Sequence, residues 1–192
     1  MDFDLFGASN VSDEMLESMD RFLQFETILR YVFLPDGCFL TSNRKQVSDA
    51  KGKDRFLSVF KWLNKKGVKK IIRIVVCDDQ QTPHTEDAIG RALERFDVEE
   101  LDWRKNDICS ETIRHSAPNV RILHLSWSGS NPVLRAWSAA DGLLLLQKVS
   151  GPSMADIEPN YLTALRTWTK YFGANTYMLN QLERIHLTIS QV

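Results

Sequence analysis

Cysteine is scarce in this 192-residue chain: there are three, and none forms a Cys-x-x-Cys clip. Three thiols cannot all pair, so Cys38, Cys77 and Cys109 read as reduced thiols of a cytoplasmic protein. An excess of charge of one sign is also missing. The 24 basic and 25 acidic side chains leave a net charge of −1. That balance excludes a nucleic-acid binder working by bulk attraction, and no base-stacking platform of aromatics interleaved with Lys or Arg is expected. Long apolar runs are absent too. The most apolar short stretch, residues 142–146, is far below the ~20 residues a bilayer span needs, so no membrane partner is expected. Residues 1–12 lack a basic cap followed by an apolar run, and no secretory signal is expected. The four histidines show no i, i+4 pairing and no His-Glu-x-x-His spacing, so neither a metal site nor a cofactor is expected. What is present is 43% apolar residues, enough for a core without staples and too many for a disordered chain.

The patterning predicts a single α/β domain over residues 1–192, with an N-terminal helix in 1–25 capped by Ser12. Residues 28–34 read as a strand stopped by Pro35-Asp36-Gly37, and 42–53 as a polar loop. A helix over 54–66 buries Phe56, Leu57, Val59, Phe60 and Leu63 and ends at Gly67. Strands are predicted over 71–76, 98–103 and 120–127. Thr85 is expected to cap a helix between the first two, and Asp107 a short helix running to Ser116. Residues 133–146 read as broken helix, 155–192 as two helices plus a last strand over 182–189, and 150–153 as the best hinge. Strands alternating with helices imply a parallel sheet of about five strands with right-handed βα units.

Three strands alternate apolar and polar residues. Val98, Leu101 and Trp103 enclose Glu99, Glu100 and Asp102; Val120, Leu123 and Leu125 enclose Arg121 and His124; Leu182, Ile185 and Leu187 enclose Glu183, Arg184 and His186. Period-two alternation means that one face of the sheet is wet. The shared spacing is that of a leucine-rich-repeat strand, and the fuller pattern occurs once, with Asn106 in the asparagine place. The expected arrangement is therefore a leucine-rich-repeat-like two-layer sheet, with a Rossmann-like three-layer open sheet as the alternative.

Several segments carry a likeness. They are Phe60-Lys61-Trp62-Leu63-Asn64-Lys65-Lys66-Gly67-Val68, Pro83-His84-Thr85-Glu86-Asp87-Ala88-Ile89 and Val98-Glu99-Glu100-Leu101-Asp102-Trp103. The fullest is the run His124-Leu125-Ser126-Trp127-Ser128-Gly129-Ser130-Asn131-Pro132-Val133-Leu134-Arg135-Ala136-Trp137-Ser138. Together they span a βα core over about 54–149, and this core resembles the region that precedes the protease domain in fungal subtilisin-like serine proteases. The protease signatures Asp-Thr-Gly, His-Gly-Thr and Gly-Thr-Ser-x-Ala do not occur in these residues. The resemblance thus implies a recognition or regulatory module without chemistry of its own.

Two candidate sites follow. The wet sheet face would present Arg73, Glu99, Glu100, Asp102, Arg121, His124, Arg184 and His186, a mixture of charges suited to a protein partner or a second copy of the chain. The strand C-terminal ends would present Asp78, Asp79, His84, Ser128 and Asn131, a place where small ligands or nucleotides bind in parallel sheets. There, Asp78 and Asp79 either hold Mg²⁺ with a phosphate or simply bond loop amides. Ser128-Gly129-Ser130-Asn131 either cradles an anion or makes a tight turn, and Gly-x-Ser-x-Gly is absent. With no complete catalytic motif, the expectation is a non-enzymatic binding module.

Overall fold

In the computed structural model, the described residues are 1–5, 11, 13–35, 54, 56–78, 81–139, 141–146 and 186–191. They form six strands: β1 (Asp2–Asp4), β2 (Ile28–Leu34), β3 (Lys70–Val76), β4 (Asp97–Asn106), β5 (Ile122–Trp127) and β6 (His186–Gln191). The helices are α1 (Asp13–Asp20), α2 (Leu57–Lys65), α3 (Glu86–Leu93), α4 (Ser110–Ser116) and α5 (Asn131–Ser138), followed by a 3-10 turn over Leu143–Leu145. All strand pairs are parallel, and the order is β1-β2-β3-β4-β5-β6. The sheet is α/β in class, as expected, with one strand more than expected.

One face of the sheet is the core. Leu29, Val32 and Leu34 of β2, Ile71, Ile74 and Val76 of β3, Val98, Leu101 and Trp103 of β4, and Leu123 and Leu125 of β5 are all buried. Each such side chain stabilises the fold by roughly 1.5–3 kcal/mol relative to exposure. The register carries the apolar rows straight across: Val32 pairs with Ile74, Ile74 with Leu101, and Leu101 with Leu123. Helices cover this face. Val59, Phe60 and Leu63 of α2, Ala88, Ile89, Ala92 and Leu93 of α3, and Ile113 of α4 are buried, and consecutive helices from α1 to α4 pack side by side.

The local signals explain the ends of these elements. Thr85 caps α3 as expected, its Oγ1 accepting the Ala88 N–H at 3.1 Å. Gly67 ends α2 with a φ of 91°, a conformation that costs glycine little. Each described tryptophan satisfies its indole N–H: Trp62 on Asp20, Trp103 on Asp78, Trp127 on the Ser130 carbonyl and Trp137 on the Ile108 carbonyl.

Some expectations need correction. The N-terminal helix ends at Asp20, short of residue 25, while β4 runs on to Asn106 and β6 covers 186–191. Strand β1 was not anticipated. Asp107 does not cap the helix before Ser116; Cys109 occupies that place, and no side chain bonds there. Asp107 turns at a φ of 60° and spends its carboxylate on the next loop. The predicted loop over 42–53, the hinge over 150–153, the C-terminal helices, Ser12 and Cys38 lie outside the described residues.

Candidate functional site

The second face of the sheet carries two rows of side chains set by the register. One row crosses Tyr31, Arg73, Glu100 and Ile122; the next crosses Phe33, Val75, Asp102 and His124. Alternation places them opposite the apolar rows. Arg73 is exposed, and Tyr31, Phe33, Glu100, Ile122 and His124 are half-buried.

The charges on this face answer one another. Glu100 is shared: its Oε1 lies 3.1 Å from Arg73 Nε and 3.0 Å from His124 Nε2. Against a carboxylate, His124 Nε2 must be the proton donor. Arg73 also holds its guanidinium 5.9 Å from the Tyr31 ring centroid, and that ring stacks on Phe33. Glu99 pairs with Lys70 nearer the strand starts, and Arg121 is exposed just before β5.

Asp102 departs from its expected role. It is 9% exposed, lying under Arg104, whose Nε and Nη2 bond its Oδ2 at 3.2 and 3.1 Å. That bond, opposed by partial burial, raises the pKa of Arg104. Asp102 therefore holds Arg104 in place and is largely withdrawn from solvent. His186 pairs with Ile122 and Thr188 pairs with His124, so the register offsets the two histidines by two residues along the β5–β6 pair. Arg184 lies outside the described residues. Tyr31, Phe33 and Arg104 were not among the expected face residues. Tyr31 and Phe33 sit in an apolar run with Val32 and Leu34, without the polar alternation that marked Glu100 and His124, so the sequence alone did not assign them to this face.

The strand-end candidates are not brought together. Asp78 and His84 meet, but they are spent on each other. His84 Nδ1 lies 2.8 Å from Asp78 Oδ1, and the His84 backbone N–H reaches Asp78 Oδ2 at 3.1 Å. Trp103 Nε1 donates to Asp78 Oδ2 at 2.9 Å. The other imidazole nitrogen, Nε2, accepts the backbone N–H of Phe56 at 3.2 Å. Asp78 is 5% exposed and His84 1%. An aspartate orienting a histidine is the supporting half of a general-base pair, but here the nitrogen that would take a substrate proton is buried and occupied. Burial raises the Asp78 pKa; the hydrogen bonds from the His84 ring, the Trp103 indole and the His84 amide outweigh it and hold the carboxyl below the usual carboxylate range.

Ser128 and Asn131 stand after β5, two strands from Asp78, roughly 10 Å across the sheet. Ser128 is bound by Asp107, through its backbone N–H at 3.0 Å and through its hydroxyl. Gly129 has a φ of 94°, which supports the tight-turn reading of this loop. Asn131 opens α5, and Asp79 lies outside the described residues. Asn106 has its Oδ1 buried without a hydrogen-bond partner among the described residues. No group of three or more metal-ligating side chains occurs among the described residues.

These elements define an α/β protein with an all-parallel, sequentially ordered sheet. No known family model, curated protein or solved structure matches the chain. No described helix is long and apolar enough to cross a membrane.

Proposed function

We propose that this chain is a non-catalytic recognition or regulatory module that binds a protein partner through the second face of its sheet. The observation that carries this reading is the pair of rows through Arg73, Glu100 and His124. They put charged and aromatic side chains within reach of solvent on a rigid strand scaffold. An arginine beside a tyrosine, with the carboxylate that orients it, is the type of anchor enriched in protein interfaces. A two-layer, leucine-rich-repeat-like arrangement is part of the proposal. It is supported by the strand order, because right-handed crossovers that always step in one direction fall on one face. The resemblance of residues 54–149 to the region beside fungal subtilisin-like protease domains points the same way, towards recognition without chemistry. A cytoplasmic setting is proposed as well, supported by the unpaired thiols Cys77 and Cys109.

A photo-crosslinking residue placed at Arg73, and separately at Lys61 on the exposed side of α2, tests the reading in extract of the native host. The proposal expects a discrete adduct from position 73 that is lost when Glu100→Lys is added. A product at twice the chain mass would identify the partner as a second copy. Adducts from position 61 alone contradict the proposal.

A further inference from the structure

His84 joins three elements. Its imidazole touches Asp78 just past the end of β3, stacks on the Phe56 ring at 4.7 Å and meets the Trp103 indole of β4 edge-on at 5.6 Å. Phe56 is the residue from which α2 starts, and it is 3% exposed. Its N–H can bond Nε2 only while that nitrogen carries a lone pair. The latched histidine is therefore neutral, with its proton on Nδ1 facing Asp78.

Among the described residues, Asp78 is the charged side chain that His84 contacts. Glu86 of α3 is turned to Lys105 of β4 and to the Cys109 amide. Trp103 and Phe56 bring no charge. Suppose the start of α2 opens locally. Nε2 is freed, while Asp78 stays beside Nδ1 and favours an imidazolium. The open state thus binds a proton more tightly than the latched one. By linkage, a proton then favours the open state to the same degree.

We propose that His84 is an acid-sensitive latch on the N-terminal end of α2. A solvent proton taken up at Nε2 displaces the Phe56 N–H, converts the Asp78–His84 hydrogen bond to an ion pair, and frees Phe56 and the first turn of α2. This device is separate from the sheet face and does not depend on a partner.

Two measurements on the intact chain decide it. The first is amide exchange at Phe56 and Leu57, corrected for intrinsic rates, between about pH 7.5 and about pH 5. Wild type is expected to lose protection roughly tenfold or more on acidification. His84→Gln, whose amide oxygen replaces the acceptor without titrating, is expected to stay flat. Unchanged wild-type protection, or an equal loss in the variant, overturns the proposal. The second is the imidazole ¹⁵N spectrum of wild type, which settles the matter if the variant does not fold. It should show the Nδ1–H tautomer at the upper pH and an imidazolium appearing together with loss of the Phe56 amide bond. An Nε2–H tautomer, or ring protonation that leaves Phe56 protected, overturns it.

Discussion

Asp107, one residue beyond the end of β4, accepts the backbone N–H of Ser128 at the end of β5 on its Oδ1 at 3.0 Å. Its Oδ2 accepts the Ser128 hydroxyl and its own N–H reaches the Ser126 carbonyl at 2.9 Å, so one residue ties the two strand ends together three times. It does so at a φ of 60°, a conformation that aspartate and asparagine tolerate better than alanine. Asp107→Ala should cost about 2 kcal/mol, from backbone strain and the lost bonds to the Ser128 N–H and hydroxyl. Asp107→Asn, which keeps the turn and an acceptor, should cost about half of that. Urea unfolding with an unchanged slope is the measurement.

The buried pair makes a pH prediction. The folded-state pKa of Asp78 lies below the ordinary value of 3.8. The unfolded chain therefore takes up the proton first as pH falls. The stabilisation is complete above the ordinary carboxylate pKa and is lost as pH drops through the lower folded value. Asp78→Asn should cost roughly 2–4 kcal/mol near neutral pH, because it sets an amide donor against the donors Trp103 and His84. The gap between wild type and variant should narrow in strong acid. Unfolding midpoints compared at about pH 5 and about pH 2.5 check both statements.

Two glycines should respond in opposite directions. A Cβ on Gly142 would lie 2.3 Å from the Ala136 carbonyl oxygen and 2.8 Å from that of Trp137, both backbone atoms at the end of α5. Gly142→Ala should lower stability by about 1–3 kcal/mol, since backbone has to move to admit it. Gly90, inside α3, would meet nothing within 4 Å. Gly90→Ala should raise stability by about 0.5–1 kcal/mol through the helix backbone alone. Thermal unfolding of the two variants side by side is sufficient.

Sequence patterning carried the fold a long way because its signals are local. The apolar run in 28–34, stopped by the turn at Pro35-Asp36-Gly37, marks β2 at its observed limits, and Thr85 marks the start of α3 through a bond three residues long. Strand β1 carried a local signal too, Asp2 and Asp4 alternating with Phe3 and Leu5, but it is only three residues long. Its partners, Arg30 on Asp2 and the ring of Phe25 against Phe3, come from distant sequence. The sheet face was legible in Arg73, Glu100 and His124 for the same local reason. Distance hid what lies between these residues. Asp78 finds His84 six residues away and Trp103 twenty-five away, and Phe56 finds His84 across twenty-eight. Such contacts depend on how helices and strands stack, which no short pattern encodes. Asp102 shows the same limit: alternation gave its face correctly, but not the Arg104 guanidinium that covers it.

The account stands on the openness of the sheet's second face to water. Hydroxyl-radical footprinting of the intact chain tests this most directly, because it needs no partner. Tyr31, Phe33 and His124 should be modified readily, while Phe60, Trp103 and Trp137, each no more than 2% exposed, stay protected. Protection of Tyr31, Phe33 and His124 to the level of Phe60 would mean that another part of the chain covers this face, and would contradict the account.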